Sequence, residues 1–229
     1  ELTRGDARYT IIEAGRAMPG KGRNIGTAAA KYEWIAYTDA GIKLERNWLK
    51  ELAEASNKHP EADIVYGNCD PVTDTLFTKC AAITYLSPKK PGSISNKFIA
   101  STLMRKKVWE AVGGFPDLRA AEDLIFMEKA DKLNFKATEA PEAMTFWSLR
   151  PGLTSTFKRF DLYSKYNVWA GRQAFWHYGV LKHYLLVIAF ILAGIFHHWL
   201  WFLGVPLWLL ARVARRIYKH RFACDTGSL

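Results

Sequence analysis

Two groups of carboxylates occur where acid–base chemistry could be carried out. Glu122 and Asp123 are adjacent and begin an apolar-periodic stretch, and Asp39 follows the β-rich run at residues 34–37. A carboxylate at a helix start or a strand end can act as a general base when it lies within hydrogen-bond reach of the proton it removes. In open α/β sheets, ligands bind outside the carboxyl ends of the strands, where Asp39 is placed. The residue types therefore indicate a general base at the helix start and a binding role for Asp39.

Each group also has a purely structural interpretation. Carboxylates are favourable in the first turn of a helix because of the macrodipole, which by itself accounts for Glu122 and Asp123. Aspartate is also a common turn and cap residue, which accounts for Asp39 in front of Ala40 and Gly41. Taken in isolation, neither group distinguishes a structural role from a catalytic one.

Four segments stand in a specific order along the chain. They are GRNIG at residues 22–26, IAYTDAG at 35–41, VGGFP at 112–116 and the Glu122–Asp123 pair. In this order and spacing they resemble the family 2 inverting glycosyltransferases, over about residues 9–172. The resemblance implies a nucleotide-sugar-binding domain that transfers a sugar from a nucleotide-diphosphate donor to an acceptor hydroxyl with inversion.

The resemblance also implies roles for single residues. The carboxylate that deprotonates the acceptor is by match Asp123, with Glu122 beside it. The implied donor-binding residues are Arg23, Asn24, Asp39, Gly41, Gly114 and Phe115.

The chain departs from the family pattern in two places. Gly41 stands where the family has the second acid of Asp-x-Asp, so a divalent cation (Mg²⁺ or Mn²⁺) at Asp39 is left open. Replacement cations would come from Arg150, Lys158 and Arg159, which otherwise contact solvent or lipid headgroups. The apolar and acidic strands with which the family opens have no counterpart upstream of Tyr9, so we expect an amino-terminal part of the domain to be missing.

Hydrophobic periodicity predicts the elements that hold these residues. Strands are predicted at 9–13, 34–37, 62–66 and 98–104, with one or two more at 137–147. Helices are predicted from residue 24 onward after a loop at 15–22, and at 47–55, 105–112 and 121–133. Alternating strands and helices favour an α/β fold with a mostly parallel, nucleotide-sugar-binding sheet flanked by helices. Segment 68–97 is predicted to be a long loop over the site.

The positive charge is concentrated near the carboxyl end. The formal charge is +10, but residues 1–156 carry 22 Lys+Arg against 20 Asp+Glu, whereas residues 157–221 carry 10 against 1. The first part is almost neutral and shows no basic stripe with interleaved aromatics, which argues against nucleic-acid binding. The second part flanks an apolar run, as juxtamembrane charge does.

That apolar run, residues 184–211, contains no acid, Lys or Arg. It predicts a membrane anchor, either a single tilted span or, as we prefer, a hairpin turning near His197 and His198 with both flanks cytoplasmic. We expect a transferase domain at 1–156, a juxtamembrane segment at 157–181, the membrane part at 182–218 and a polar tail at 219–229. Three cysteines without metal-ligand spacing favour a reducing, cytoplasmic environment for the polar part.

The sequence therefore favours a membrane-anchored inverting glycosyltransferase at the inner or plasma membrane, with its catalytic domain in the cytoplasm. Its partners would be a nucleotide-diphosphate sugar and a lipid-linked or envelope-glycan acceptor, because tethering raises the effective concentration of a membrane substrate. The alternative is a catalytically inactive, membrane-bound sugar-nucleotide-binding or scaffold protein. Donor binding without turnover would favour that alternative.

Overall fold

The computed structural model describes residues 8–85 and 92–224. Its strands are β1 (Trp34–Tyr37), β2 (Lys43–Leu44), β3 (Ile64–Val72), β4 (Thr102–Arg105) and β5 (Ala137–Ser148). Its helices are α1 (Pro19–Ala29), α2 (Trp48–Lys58), α3 (Leu76–Tyr85), α4 (Lys106–Val112), α5 (Glu122–Lys132), α6 (Leu153–Trp169), α7 (Gln173–Trp176), α8 (Tyr178–Phe196) and α9 (Gly204–Cys224). Short 3₁₀ segments lie at Ile99–Ser101 and Trp199–Leu203.

The five strands form one mixed sheet in the order β1-β4-β3-β5-β2. Only β3 and β5 pair in parallel, whereas β1–β4, β3–β4 and β2–β5 are antiparallel. The prediction of a mostly parallel sheet was therefore wrong, although α/β was correct. The reason is the connection after β3, which returns to the sheet at the end it left, since Tyr66 pairs with Thr102 and Ile64 with Met104. A chain that returns at the same end must run antiparallel.

The core has two layers, one on each face of the sheet. β3 contributes to both, because successive strand residues point to opposite faces. Ile64 and Tyr66 pack with Phe126 of α5 and Val108 of α4, while Val65 packs under α2. The first residues of β3, 64–66, are buried on both faces, which is why all three are apolar.

Several predicted elements are confirmed, and they hold the acidic residues. β1 covers the predicted residues 34–37 and delivers the chain to Asp39. α4 ends at Val112 and is capped by Gly113, which adopts a left-handed conformation with φ of 82°, as a C-terminal glycine does. α5 begins at Glu122, after Ala121 with φ of 68°. A non-glycine residue in the left-handed region carries backbone strain, so the surroundings of Ala121 must hold it there.

Two predictions near the amino end were wrong. Residues 9–13 form no strand; Ile11 is 70% exposed, and no described strand pairs with the segment. The predicted loop at 15–22 is shorter than expected, because α1 already begins at Pro19. Proline suits the first helical position, since its missing N–H has no partner there in any case.

The prediction of a long loop at 68–97 was also wrong for most of the residues in that segment that the structure describes. β3 continues past Gly67 to Val72, with a register shift between Gly67 and Asn68, and α3 follows. A bulge of this kind lets a strand continue past a glycine. Residues 86–91 of the predicted loop lie outside the described residues. The predicted strand at 98–104 begins as a 3₁₀ turn and becomes β4 only at Thr102.

The carboxyl-terminal third is helical. The apolar run at 184–211 is divided by a break after Phe196 and by the 3₁₀ turn, so α8 is the one described helix long and apolar enough to cross a membrane. The expected boundary at residue 156 falls within α6. Arg172, one of the positive charges that precede the apolar run, is buried between α6 and α7 and forms a 2.5 Å ion pair with Glu128 of α5.

Candidate functional site

Asp39 lies immediately after β1, in a tight turn. The backbone N–H of Ile42 donates to the Asp39 carbonyl at 3.2 Å, and Gly41 adopts φ of 86°, which favours glycine. No atom lies within 4 Å of the position that a Gly41 Cβ would take. The Asp39 side chain is 45% exposed, so it remains accessible at the end of the strand. Gly41 thus shapes the turn that presents this carboxylate.

Arg23 joins the two groups of carboxylates that the sequence singled out. Its Nη2 lies 2.7 Å from Asp39 Oδ1, and its Nη1 lies 2.5 Å from Glu122 Oε1. Burial by itself would lower the pKa of Arg23, but Asp39 and Glu122 raise it, so the guanidinium stays charged. One cation on α1 therefore fixes the end of β1 relative to the start of α5.

The two adjacent acids have different environments. Glu122 is buried and its Oε1 is bound to Arg23, whereas Asp123 is partly exposed and accepts the Leu124 N–H at 2.8 Å through Oδ1. Among the described residues, Asp123 has no cation within salt-bridge distance. Burial raises the pKa of Asp123, and the charge of Asp39 adds to that rise while Arg23 opposes it. Burial and the charge of Asp123 likewise raise the pKa of Glu122.

Asn24 clamps the glycine turn that follows α4. Its Nδ2 donates to the Phe115 carbonyl at 2.8 Å, and its Oδ1 accepts the Phe115 N–H at 2.8 Å and the Trp109 Nε1–H at 2.9 Å. The amide oxygen is thereby occupied twice and one amide hydrogen once. A Cβ on Gly114, whose φ is 81°, would lie 2.9 Å from Asn24 Oδ1. Gly114 is needed because the clamp approaches the backbone so closely.

Phe115 connects the clamp to the core. Its ring stacks on Phe126 with centroids 4.1 Å apart and meets the Tyr37 ring edge-on at 5.8 Å. The Arg23 guanidinium lies over the same ring at 5.6 Å. The Phe115 ring therefore supports one face of the Arg23 guanidinium. A movement of this turn would displace the guanidinium from its position between the two carboxylates.

Sequence reasoning missed four residues that build the site. A Cβ on Gly20 would lie 1.9 Å from the Pro116 carbonyl oxygen, so α1 approaches this turn more closely than any side chain permits. Thr27 and Tyr37 are buried and share a 2.8 Å hydroxyl hydrogen bond that ties α1 to β1. Trp109 contributes the third hydrogen bond of the clamp. No local pattern marks these residues, because each acts through a partner distant in sequence.

The described acids do not form a metal cage. No group of three or more His, Cys, Asp or Glu residues with metal-binding geometry occurs among residues 8–85 and 92–224. One carboxylate oxygen of Asp39 is already paired with Arg23. The described side chains alone therefore offer a Mg²⁺ or Mn²⁺ ion little more than the second Asp39 oxygen, so its other ligands would have to be water and donor phosphates.

The three candidate replacement cations are not brought to Asp39. Arg159 donates to the Tyr163 hydroxyl at 2.7 Å, and its charge, like that of Arg150, acts on Tyr85 of α3. Lys158 is exposed on α6. These side chains therefore do not supply the positive charge at the Asp39 turn.

Comparisons with known proteins yielded structural neighbours only. No protein-family model and no curated protein matches the chain. The neighbours include S. aureus TarS residues 1–349 in complex with UDP-GlcNAc, at 20% identity and a TM-score of 0.45, covering 64% of this chain and 43% of that chain. The same TarS fragment in a second structure gives 21% identity, a TM-score of 0.43, and coverage of 60% and 42%. A further TarS structure gives 20% identity and a TM-score of 0.43, covering 61% of this chain and 26% of that chain.

This chain thus spans less than half the length of each TarS chain that it matches. At these identities and TM-scores the likeness bears on neither the activity nor the ligands of this chain.

Proposed function

We propose that the chain is an inverting glycosyltransferase that takes a sugar from a nucleotide-diphosphate donor and uses Asp123 as its base. One observation carries the proposal: Arg23 binds Asp39 at the end of β1 and Glu122 at the start of α5. It thereby holds a strand-end carboxylate and a helix-start carboxylate at one site. Strand ends are where open α/β sheets bind their ligands.

Asp123 has the properties required of the base. In a single displacement, the acceptor oxygen attacks the anomeric carbon while its proton passes to the base and the nucleotide diphosphate departs. Asp123 is partly accessible, and its raised pKa moves it towards the neutral range in which a general base is most efficient. Glu122 is less suited, because its buried carboxylate is bound to Arg23.

The other matched residues act mainly by positioning. Arg23 sets the spacing of Asp39 and Glu122, and Asn24 holds the turn containing Gly114 and Phe115. The accessible side of Asp39 is the part of the site available to the donor. A divalent cation there would need the remaining Asp39 oxygen together with donor phosphates, and no step of the proposal depends on one.

A membrane-associated acceptor completes the proposal. α8 is apolar and almost wholly uncovered, with 6% of its most apolar window buried. Basic residues stand at the start of α8 and in the second half of α9. Together with the free thiols of Cys69 and Cys80, these features support a lipid-linked or envelope-glycan acceptor and a cytoplasmic catalytic domain.

The test measures nucleotide release from a panel of nucleotide sugars that includes UDP-GlcNAc, with membrane extract as acceptor and with Mg²⁺, Mn²⁺ or chelator. Wild type is compared with Asp123→Asn and with Asp117→Asn, an exposed aspartate of the preceding turn. We expect Asp123→Asn to lose roughly 10²–10⁴-fold in turnover and Asp117→Asn to match wild type. Donor binding without any release by wild type would instead favour the sugar-nucleotide-binding or scaffold function.

A further inference from the structure

α8 and α9 form an antiparallel hairpin whose tip is the 3₁₀ turn Trp199–Leu203. His183 near the start of α8 contacts Trp208 of α9 with ring centroids 5.1 Å apart. Nearer the tip, a Cβ on Gly204 would lie 2.4 Å from the Phe190 ring, and one on Gly194 would lie 2.7 Å from the Phe202 ring. The two glycines thus let the helices and the turn pack closely.

The base of this hairpin lies beside the α/β domain. Arg216 in the second half of α9 donates to the Ile83 carbonyl of α3 at 2.9 and 2.7 Å and to the Thr84 carbonyl at 3.3 Å. Arg216 is twelve residues beyond Gly204, about 18 Å along a helix. The second half of α9 therefore lies on the same side of any membrane as the α/β domain. A single span formed by α8 would instead place α9 on the opposite side.

Charged residues set the depth to which the hairpin can enter lipid. Arg212 lies over the Trp208 ring at 5.0 Å, and Trp208 contacts His183, next to Lys182. Between this charged level and the tip, α8 offers the 13 residues 184–196, about 20 Å, and α9 offers the eight residues 204–211, about 12 Å. A hydrocarbon core is about 30 Å thick. A crossing hairpin would therefore carry arginines deep inside the bilayer.

The tip itself is apolar and uncovered by protein. Phe196 is 83% exposed and Trp199 is 64% exposed. The two histidines there make internal hydrogen bonds: His197 Nδ1 accepts from Trp201 Nε1–H at 3.4 Å, and His198 Nδ1 accepts from the Leu200 N–H at 3.2 Å. Such pairing lowers the cost of placing these rings in lipid.

We propose that the hairpin enters a bilayer from one side and ends within it, with the 3₁₀ turn near the middle and the basic residues at the headgroups of the entered leaflet. The basic residues are Lys182, Arg212, Arg215 and Lys219, all exposed. They are complementary to anionic lipid. The occupant of the apolar surface is thus the acyl-chain region of one leaflet. This inference rests on the membrane attachment in the proposed function but not on sugar transfer.

The test is a depth profile of the full chain in vesicles of phosphatidylethanolamine and phosphatidylglycerol. Spin labels are attached to single cysteines at four exposed positions, Ile188, Leu192, Leu200 and Leu209, after Cys80→Ser and Cys224→Ala. Cys69 is buried and stays in place. Accessibility to oxygen relative to a polar nickel complex is measured at each position. We expect the depth to increase from 188 through 192 to 200 and to decrease again at 209.

A depth maximum at 188, with 200 accessible to the nickel complex, would mean a hairpin that crosses the bilayer, and would overturn the proposal. If all four positions were accessible to the nickel complex, both the proposal and the membrane attachment would be overturned. Nucleotide release is measured on the same samples as a separate readout. The failure of this inference and that of sugar transfer can therefore be distinguished.

A charge at the tip gives a second readout. Leu200→Lys should weaken sedimentation with the same vesicles by roughly tenfold to a hundredfold, because a cation near the bilayer centre is costly. Leu49→Lys, at an exposed leucine on α2, is the matched control and should sediment like wild type. Unchanged sedimentation of Leu200→Lys would contradict the placement of the tip in the bilayer.

Discussion

Asn24 and Phe115 are joined by two hydrogen bonds, each of 2.8 Å, between a side-chain amide on α1 and the backbone of the glycine turn after α4. These residues are 91 positions apart. The clamp fixes the turn whose aromatic ring lies under Arg23, so it also fixes the cation that holds Asp39 and Glu122. The geometry of the carboxylates therefore depends on an amide that touches neither of them.

Replacing this amide tests the clamp. Asn24→Ala removes the partner of the Phe115 N–H, the Phe115 carbonyl and the Trp109 indole N–H, so we expect the free energy of unfolding to fall by about 1–3 kcal/mol. Urea denaturation measures the change. Asn57→Ala, at an exposed site on α2, should change stability by less than about 0.5 kcal/mol. Equal effects of the two substitutions would mean that the clamp contributes nothing.

A pair of glycines on α1 provides an internal comparison. Gly20→Ala would place a methyl group 1.9 Å from the Pro116 carbonyl oxygen, so we expect α1 to be displaced and stability to fall by about 1–3 kcal/mol. Gly22→Ala meets no atom within 4 Å and should raise stability by roughly 0.5–1 kcal/mol, because alanine is the better helix former. Thermal unfolding compares the two, and a stabilising Gly20→Ala would contradict the close approach.

The Asp123 carboxyl should make the free energy of unfolding depend on pH. Its pKa is raised on folding, so the folded state binds this proton more tightly than the unfolded state does. The resulting stabilisation is present below the ordinary aspartate pKa and is lost as the pH rises through the raised one. Asp123→Asn lacks this loss, so its stability relative to wild type should increase over that pH range. Denaturation curves at several pH values measure the difference.

The same shift predicts the pH dependence of turnover. A base must be deprotonated to work, so the acidic limb of the wild-type pH profile should lie above the ordinary aspartate pKa. Asp117→Asn should show the same limb as wild type. A wild-type limb at or below the ordinary value would contradict Asp123 as the titrating base.

The ion pair between buried Arg172 and half-exposed Glu128 should support the helix that carries the acids. Arg172 also donates to Asn167 Oδ1 at 3.3 Å and lies over Phe175 at 5.0 Å, so it ties α5 to the α6–α7 connection. Glu128→Gln keeps a hydrogen-bond acceptor, whereas Glu128→Ala leaves a buried cation without this partner. We expect the alanine variant to lose about 1–3 kcal/mol and the glutamine variant to lose less, as measured by urea denaturation.

Local elements were largely predictable from the sequence because their signals are local. β1 is marked by a four-residue run that contains three β-forming residues, Trp34, Ile35 and Tyr37. The end of α4 is marked by Gly113, whose left-handed conformation other residues adopt only with strain. The start of α5 is marked by its two acids. In each case the backbone preference and the buried face are set by neighbours within a few residues.

Only the tertiary structure decided which of these pieces meet and in which direction. The direction of β4 depends on the end at which the chain re-enters the sheet, and no residue within the strand encodes this. The contacts of Gly20, Asn24 and Arg23 join α1 to segments more than 90 positions away on one side and to Asp39 on the other. Hydrophobic periodicity determines that a face is buried but not its partner, because burial is non-directional whereas hydrogen bonds and close backbone contacts need one specific arrangement.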